Sequence, residues 1–295
     1  MSASIKHYLV LNLIVLIWGF TGVLGDQISL GSAEIVFFRM GIAAVSLGIL
    51  SAFIKTKPLT NQQRLKLVLI GFVVAFHWLT FFYSIKVSTV SIGVVCMSSS
   101  TLFTAIIEPI VFKKKHAKSE FLLSFGIVAG IAIIFGFEPE YTKGITFGLI
   151  SAFLASIFNV LNGKYIESAS PLSITLYEMI GGFIVISALL VYIGQFNADL
   201  FTVPSIDWIY LLILGLVCTT MAFLVSVWIM KYVSPFTVSL SINLEPVYAI
   251  IIAIIVAHYQ GKNTENMTME FYIGTIIILS AIFINAYLKS RKNIR

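Results

Sequence analysis

The chain alternates between long apolar runs and short polar segments along its whole length. A helix that crosses a lipid bilayer needs roughly 20 mainly apolar residues. Ten runs approach that length: 8–25, 33–54, 65–83, 88–112, 119–137, 144–163, 171–194, 208–230, 234–257 and 271–288. The pattern therefore predicts an all-α membrane protein with ten transmembrane helices.

Polar or helix-breaking residues separate these runs. The clearest breaks are Lys55-Thr56-Lys57-Pro58, Lys113-Lys114-Lys115, Glu138-Pro139-Glu140, Pro171, the segment 199–207 and the polar stretch 260–269. The first run follows Lys6, as in a signal peptide, but it ends in Trp18-Gly19-Phe20-Thr21-Gly22 rather than in a small-x-small cleavage site. Because further spans follow it, we expect this run to be retained as the first helix.

The composition excludes an ordinary soluble domain. Hydrophobic residues make up 59% of the chain and charged residues 11%, whereas soluble domains average about a quarter charged residues. The formal net charge of +6 does not indicate nucleic-acid binding, because the basic residues form short clusters between apolar runs rather than a continuous stripe. The lipid bilayer is therefore the expected surrounding of this chain.

Neither an enzyme nor a cofactor or metal site is predicted. The sequence has no Walker-type nucleotide loop and no G-x-S-x-G motif, and its four histidines are dispersed. Cys96 and Cys218 both fall within apolar runs. That placement is typical of small buried residues rather than of a disulfide framework or a metal site.

The distribution of Lys and Arg predicts the orientation in the membrane. With the N-terminus inside, the cytoplasmic side carries 15 of the 19 Lys and Arg residues: Lys6, Lys55, Lys57, Arg64, Lys66, Lys113, Lys114, Lys115, Lys118, Lys164, Lys231, Lys289, Arg291, Lys292 and Arg295. The outer side carries Lys86, Lys143 and Lys262, and Arg39 lies within a span. Because cytoplasmic loops are generally enriched in Lys and Arg, we expect a protein of the cytoplasmic membrane with both termini in the cytoplasm.

The two halves of the chain show faint internal similarity. Three pairs of segments occur in the same order in each half: Ile35-Val36-Phe37-Phe38-Arg39-Met40 with Ile174-Thr175-Leu176-Tyr177-Glu178-Met179, Val87-Ser88-Thr89 with Val233-Ser234-Pro235, and Phe125-Gly126 with Ile273-Gly274. Two repeats of five spans each, residues 1–142 and 143–295, follow from this order. An odd number of spans inverts the second repeat relative to the first, an architecture that transporters use.

The whole chain resembles the EamA family of the drug/metabolite transporter superfamily. The residues that carry the resemblance are Ile17-Trp18-Gly19, Phe38-Arg39, Lys231-Tyr232-Val233-Ser234-Pro235 and Asn243-Leu244-Glu245-Pro246-Val247-Tyr248-Ala249. The resemblance implies two five-helix EamA repeats, a central cavity lined by the first four helices of each, and peripheral fifth and tenth helices. It also implies export or facilitated movement of amino acids, related metabolites or drugs.

One pattern of that family is missing here. Its members often have Gly-Glu at the cytoplasmic end of span four and at the corresponding end of span nine. This sequence has Lys113-Lys114 and His258-Tyr259 at those places. A role that depends on those acids is therefore not expected in this chain.

Arg39, Glu178 and Glu245 lie inside long apolar runs. Ionisable residues in a membrane helix cost roughly 3 to over 10 kcal/mol at its centre and usually face a polar cavity. Arg39 is expected to bind a substrate carboxylate, to lock neighbouring groups in place, or to reach the membrane surface. Glu245, followed by Pro246, is expected to bind an ammonium group, to couple protons, or to pair permanently with Arg39. Glu178 lies roughly 13 Å from Arg39 along the membrane normal, which favours an inner gate or coupling role over direct pairing; a structural hydrogen bond is the alternative.

Further polar and aromatic residues are expected near mid-membrane. The polar set comprises Ser98-Ser99-Ser100-Thr101, Asn159, Asn162, Thr219-Thr220 and Asn243. Ser99, Asn159 and Asn243 are candidate substrate-binding residues, with close helix packing as the alternative for the serines. His77 is a candidate for substrate contact or for packing, and Trp18 and Tyr177 for an aromatic wall. Glu108 is expected at the membrane interface, near Lys113 to Lys115.

Together these features predict a secondary transporter, or permease, that exports amino acids or related small metabolites by alternating access. Efflux of drugs or hydrophobic cations is the alternative, and a membrane-embedded enzyme or a sensor is the alternative of a different class. Arg39 would hold a carboxylate, Glu245 an amine or a proton, and Glu178 the inner gate. Gly126 and Gly130 lie four residues apart on span five, a spacing that permits close helix contact in a homodimer.

Overall fold

The computed structural model describes residues 4–115, 126, 129–130, 132–133, 139–261 and 269–292. These residues form helices and short connections, with no strand among them. In chain order the helices are α1 (Ile5–Gln27), α2 (Ser32–Phe53), α3 (Asn61–Lys86), α4 (Val90–Met97), α5 (Ser100–Phe112), α6 (Thr142–Tyr165), α7 (Pro171–Tyr192), α8 (Ser205–Leu212), α9 (Ala222–Ile229), α10 (Pro235–Ile242), α11 (Glu245–Tyr259) and α12 (Met269–Lys292). Short 3₁₀ helices cover Pro139–Tyr141 and Ala198–Phe201, and a π-helical segment, Ile213–Met221, joins α8 to α9.

Eight helical crossings in the described part of the chain are long and apolar enough to span a membrane. They cover Ile5–Gln27, Ser32–Phe53, Asn61–Lys86, Val90–Phe112, Pro139–Tyr165, Pro171–Tyr192, Ser205–Ile229 and Pro235–Tyr259. The prediction of an all-helical, multi-pass membrane protein is thereby confirmed. Predicted span five, 119–137, lies largely outside the described residues, and with it most of the segment expected to form a dimer contact at Gly126 and Gly130. The total of ten spans and the inverted repeat stay predictions.

Crossings that are joined by a described connection run antiparallel, so these connections collect at two ends of the bundle. The end that holds the start of α1 also holds residues 54–60, 166–170 and 230–234, and we call it the amino-terminal end. The opposite end holds residues 28–31, 87–89 and 193–204, and we call it the distal end.

Side-chain caps fix where several helices begin. Thr60, Thr89, Ser170 and Ser234 each accept a hydrogen bond from a backbone N–H three residues further on. This bond satisfies a donor that has no partner within the helix. It also explains why α3 begins at Asn61 rather than at the predicted residue 65. The first turn is polar, so it lies outside the apolar run, but its cap keeps it helical.

Two crossings have the same irregularity near their middle. An eight-residue helix, α4 or α10, is followed by two residues in a tight turn and then by a second helix, α5 or α11. The turns are Ser98–Ser99 and Asn243–Leu244. In each turn the N–H of the second residue donates to the carbonyl three residues back, at 3.1 Å in the first and 3.0 Å in the second. Such 3₁₀ turns rotate the following side chains relative to an unbroken α-helix, and the second turn sets the direction of Glu245.

Glycines bring helices of the two predicted halves into backbone contact. A Cβ added to Gly71 of α3 would overlap the carbonyl oxygen of Glu178 of α7, and one added to Gly181 would overlap the carbonyl oxygen of Val68. Small residues at such positions let membrane helices approach closely, so that dispersion forces replace the missing hydrophobic drive. The seam between α3 and α7 therefore depends on positions where no side chain larger than hydrogen fits. One apolar core, with Val74 and Ile174 at 0% exposure, continues across both halves.

We predict that Gly71→Ala destabilises the protein, because the new methyl group meets backbone, which cannot rotate away. The expected cost is about 1–3 kcal/mol, as for other overpacked sites. Gly48→Ala is the matched control, since a Cβ at Gly48 has nothing within 4 Å and alanine favours a helix over glycine by up to about 1 kcal/mol. Thermal unfolding of the detergent-solubilised variants measures both; equal shifts would contradict the proposed tight seam.

Candidate functional site

A cavity lies between the helices of the two halves at the level of the turn before Glu245. Its volume is about 50 Å³, which is room for a few water molecules, since one water needs about 10–15 Å³ on this measure. The lining residues are Trp18, Thr21, Arg39, His77, Trp78, Phe81, Met97, Ala155, Phe158, Asn159, Phe223, Ile242 and Glu245. Five of the residues expected at the site from the sequence therefore share one wall: Trp18, Arg39, His77, Asn159 and Glu245.

The Arg39 side chain is held on two sides. It projects from the second turn of α2 and is 1% exposed. Its Nε donates to the hydroxyl of Thr219 at 2.6 Å, and its guanidinium carbon lies 3.8 Å from the ring centroid of Trp78. Stacking on an aromatic face stabilises a desolvated guanidinium. One edge remains: Nη1 is buried and hydrogen-bonds no described residue.

Glu245 lines the same cavity from the opposite half of the chain. It is the first residue of α11, with Pro246 next to it, and a helix N-terminus favours negative charge. Its carboxylate forms no hydrogen bond or ion pair within the described residues. Arg39 and Glu245 attract each other electrostatically, but they are not within contact distance. The permanent Arg39–Glu245 ion pair that the sequence left open is therefore absent from the described structure.

His77 presents one ring nitrogen to the cavity. Its Nδ1 lies 3.0 Å from the carbonyl oxygen of Ser151, and a carbonyl can only accept, so Nδ1 carries the hydrogen. The hydroxyl of Ser151 donates in return to the carbonyl oxygen of His77 at 2.9 Å. In the neutral ring Nε2 is then an acceptor. It can receive a hydrogen bond from a ligand N–H.

Aromatic rings form most of the remaining wall. Trp18 is fixed by its indole N–H, which donates to the carbonyl oxygen of Cys218 at 3.2 Å. The ring of Phe158 lies 5.3 Å from that of His77 and 5.7 Å from that of Phe223. Tyr177, which the sequence grouped with Trp18, is outside this wall; its ring lies 6.0 Å from the guanidinium carbon of Arg64 near the amino-terminal end.

Three other predicted site residues also lie outside the cavity wall. Glu178 is 0% exposed and accepts a hydrogen bond from Asn162 Nδ2 at 3.3 Å. Asn243 donates to the hydroxyl of Thr101 at 2.7 Å, which joins the two mid-crossing turns. The hydroxyl of Ser99 donates to a backbone carbonyl three residues back at 2.7 Å. By contrast, Asn159 keeps its Nδ2 without a hydrogen-bond partner among the described residues.

Hydrogen bonds near the distal end join the two halves of the chain. The Asp207 carboxylate, 2% exposed, accepts hydrogen bonds from the backbone N–H of Ser29 at 3.0 Å and from its hydroxyl. Lys86 donates to the carbonyl oxygens of Asp26 and Ile28. The loop between α1 and α2 is therefore tied to α8 of the second half. This role of Asp207 could not be predicted from the sequence, because a short polar segment before a span is ordinary.

A second carboxylate links the halves at the amino-terminal end. The Oε2 atom of Glu108 accepts a hydrogen bond from the backbone N–H of Phe236 at 2.8 Å, across 128 positions in sequence. Phe236 is the second residue of α10, where helices have N–H groups without internal partners. Glu108, expected near the membrane interface beside Lys113 to Lys115, thus caps a helix of the other half. At each end of the bundle, an acid of one half thus accepts a hydrogen bond from a backbone amide of the other half.

Sequence reasoning named Thr219 only as part of the mid-membrane polar set. It did not name as cavity residues Thr21, Trp78, Phe81, Met97, Ala155, Phe158, Phe223 or Ile242. Trp78 follows the flagged His77 directly, and Thr219 belongs to a flagged pair, so local signals existed for both. The phenylalanines had none, because an apolar ring in a membrane helix faces lipid, core or cavity equally well. Only the packing of α3, α6 and α9 shows which rings meet.

Comparison with known proteins adds to this geometry. The model of the EamA-like transporter family matches residues 5–136 and 142–287. Two similar proteins come from Bacillus subtilis (strain 168). The uncharacterized transporter YxxF is 25% identical over 264 residues, which cover 85% of this chain and 82% of the relative. The uncharacterized transporter YoaV is 25% identical over 306 residues, which cover 95% of this chain and 97% of the relative. An uncharacterized transporter of Archaeoglobus fulgidus is 24% identical over 275 residues, with 90% and 96% covered. A solved crystal structure shares the fold with a TM-score of 0.68 at 13% identity, over 96% of this chain and 98% of that chain.

We predict that the opposite charges of Arg39 and Glu245 stabilise each other across the cavity. Arg39→Met and Glu245→Gln should each lower the thermal unfolding midpoint. The double variant should lose less stability than the sum of the two single losses, with a coupling of roughly 0.5–3 kcal/mol. The reason is that each single change leaves one buried charge uncompensated. Additive effects in this double-mutant cycle would show that the two charges act independently.

Proposed function

We propose that this chain, which belongs to the EamA-like transporter family, exports an amino acid or a related small zwitterion by alternating access. Family membership and its apolar helices make it a multi-pass membrane transporter. The observation that carries the proposal is that Arg39 and Glu245 face one cavity from opposite halves without touching each other. A zwitterion would supply a carboxylate to Arg39 and an ammonium group to Glu245.

The cavity combines a cationic group with hydrogen-bond acceptors, a combination that suits an amino acid. Arg39 has a free edge for a carboxylate, which a guanidinium binds with two parallel hydrogen bonds. Glu245 and the Nε2 atom of His77 accept hydrogen bonds, as an ammonium group requires. Asn159 adds an amide N–H without a described partner. Pairing both charges of the ligand avoids leaving an uncompensated charge inside the membrane.

The aromatic part of the cavity wall favours an apolar side chain. Trp18, Phe81, Phe158 and Phe223 line the same cavity, and burial of apolar surface contributes about 25 cal/mol per Å². The present volume holds only a few waters, so a substrate such as leucine enters after the halves separate or the rings rotate.

Alternating access is supported by the construction of the halves. The family model matches the chain twice, at 5–136 and 142–287, and the turns at Ser98–Ser99 and Asn243–Leu244 interrupt corresponding crossings. We propose residues 1–142 and 143–295 as inverted repeats that rock about the cavity. With the positive loops in the cytoplasm, the amino-terminal end faces inward. Either Glu245 or Glu178 would carry a coupling proton.

Efflux of hydrophobic cations is the second candidate function, and the aromatic wall with Glu245 favours it. Rings and a carboxylate together bind organic cations in other proteins. Arg39 opposes it, because its buried positive charge would repel such a ligand in a low-dielectric cavity. An acidic or zwitterionic substrate removes this conflict.

We predict that purified protein in liposomes exchanges labelled L-leucine or another apolar amino acid in counterflow, and not nucleosides or tetraphenylphosphonium. Arg39→Lys should weaken competition by leucine more than competition by leucinamide, by about tenfold, because the bidentate carboxylate contact is lost. Glu245→Gln should abolish the pH dependence of exchange if this acid carries the proton. Exchange of tetraphenylphosphonium alone would overturn the amino-acid assignment.

We further predict that Asp207 and Glu108 hold opposite ends closed. In a variant with both native cysteines replaced by alanine and Thr21→Cys as the cavity probe, Asp207→Ala should speed labelling by a membrane-impermeant maleimide added outside cells. Glu108→Ala should not, because its contact closes the other end. One hydrogen bond to a charged group corresponds to about a tenfold shift in population. Equal acceleration by both variants would indicate general loosening rather than gating.

A further inference from the structure

We infer that Thr219 is a positioning residue, which holds Arg39 so that the free edge of the guanidinium meets the substrate carboxylate. This inference rests on the proposed function, since it names the protein groups that prepare its carboxylate site.

The backbone around Thr219 is π-helical. The segment Ile213–Met221 has nine residues in this conformation, which is rare in proteins and frequently found at functional sites. The hydroxyls of Thr219 and Thr220 donate to the carbonyls of Leu214 and Gly215, five residues back, at 2.7 and 2.9 Å. A bond to a carbonyl five residues back matches the wider π turn. The π segment thus fixes both threonine side chains towards α2.

The hydroxyl of Thr219 can then serve Arg39 in only one way. A hydroxyl has a single hydrogen to donate, and here Leu214 receives it. The lone pairs remain, and Nε of Arg39 donates to them at 2.6 Å. A valine at this position would have nearly the same shape and no acceptor. The buried Nε–H would then lack its partner in the described structure.

With Nε engaged, the guanidinium has only its far edge to offer. Trp78 covers one face at 3.8 Å from its centroid, and Phe82 lies at 5.7 Å. Nη1 hydrogen-bonds no described residue, although the side chain is 1% exposed. An unpaired buried N–H of a cation is costly, so this edge is prepared for an acceptor. A carboxylate fits it end-on, through both terminal nitrogens.

The neighbouring threonine supplies a matched control. Thr220 lies in the same π segment and makes the same bond five residues back. Its hydroxyl contacts the hydroxyl of Ser46 at 2.7 Å, also on α2, rather than Arg39. Thr219→Val and Thr220→Val therefore each remove one hydrogen bond from the threonine hydroxyl to a carbonyl five residues back, and one contact to α2. Only the first removes the contact to the guanidinium.

The test compares competition by L-leucine and by L-leucinamide in counterflow with labelled L-leucine. Thr219→Val should raise the half-inhibitory concentration of leucine about tenfold, the effect of one hydrogen bond to a charged group, and leave that of leucinamide nearly unchanged. Thr219→Ser keeps the hydroxyl and should behave like the wild type. Thr220→Val should keep the preference for leucine, with a thermal midpoint similar to that of Thr219→Val.

The outcomes separate this inference from the proposed function. If the wild type prefers leucine and Thr219→Val keeps that preference, Thr219 does not position Arg39, while the proposed function stands. Equal loss in Thr219→Val and Thr220→Val would assign the effect to the π segment as a whole and overturn the specific role of Thr219. If the wild type itself shows no preference for leucine over leucinamide, the carboxylate site fails, and the inference fails with it.

Discussion

A guanidinium that is 1% exposed inside a helical bundle requires the protein to replace both its water and its counter-ion. The cost of a charged side chain at the centre of a membrane helix is roughly 3 to over 10 kcal/mol. Here Thr219 accepts from Nε, Trp78 stacks on one face, and Glu245 supplies an opposite charge across the cavity. These three groups come from three separate crossings. The position of Arg39 therefore links the arrangement of the helices to the chemistry of the site.

The helices meet that requirement through departures from regular α-helix. The π-helical segment turns Thr219 towards α2, and the 3₁₀ turn at Asn243–Leu244 places Glu245 at the start of a new helix. Regular helices would keep these side chains in register with lipid-facing or core-facing stripes. In a membrane, irregular backbone is tolerated only where protein or water satisfies its polar groups. Irregular backbone and polar cavity consequently occur at the same level of the bundle.

The two halves are joined at both ends of the bundle by the same kind of contact, made by different residues. At each end, a carboxylate of one half accepts a backbone N–H of the other: Asp207 from Ser29, and Glu108 from Phe236. A charged acceptor on a neutral amide is stronger than a neutral pair, yet it is one local contact that motion can break. The glycine seam between α3 and α7 is different, because backbone meets backbone there at Gly71 and at Gly181. A rocking motion would therefore open the ends and keep this seam.

The sequence by itself determined the class of the protein and most of its crossings. Long apolar runs fix helices in a bilayer, since no other local structure satisfies the backbone there, and membrane charges such as Arg39 and Glu245 identify a cavity because they are too costly to face lipid. Tertiary structure alone decided which groups meet. Tyr177 and Glu178 do not line the cavity that Arg39 lines. Thr219, 180 positions away in sequence, accepts a hydrogen bond from Arg39. The aromatic wall and the roles of Asp207 and Glu108 likewise depend on helix packing, because apolar rings and interfacial acids look the same in sequence wherever they point.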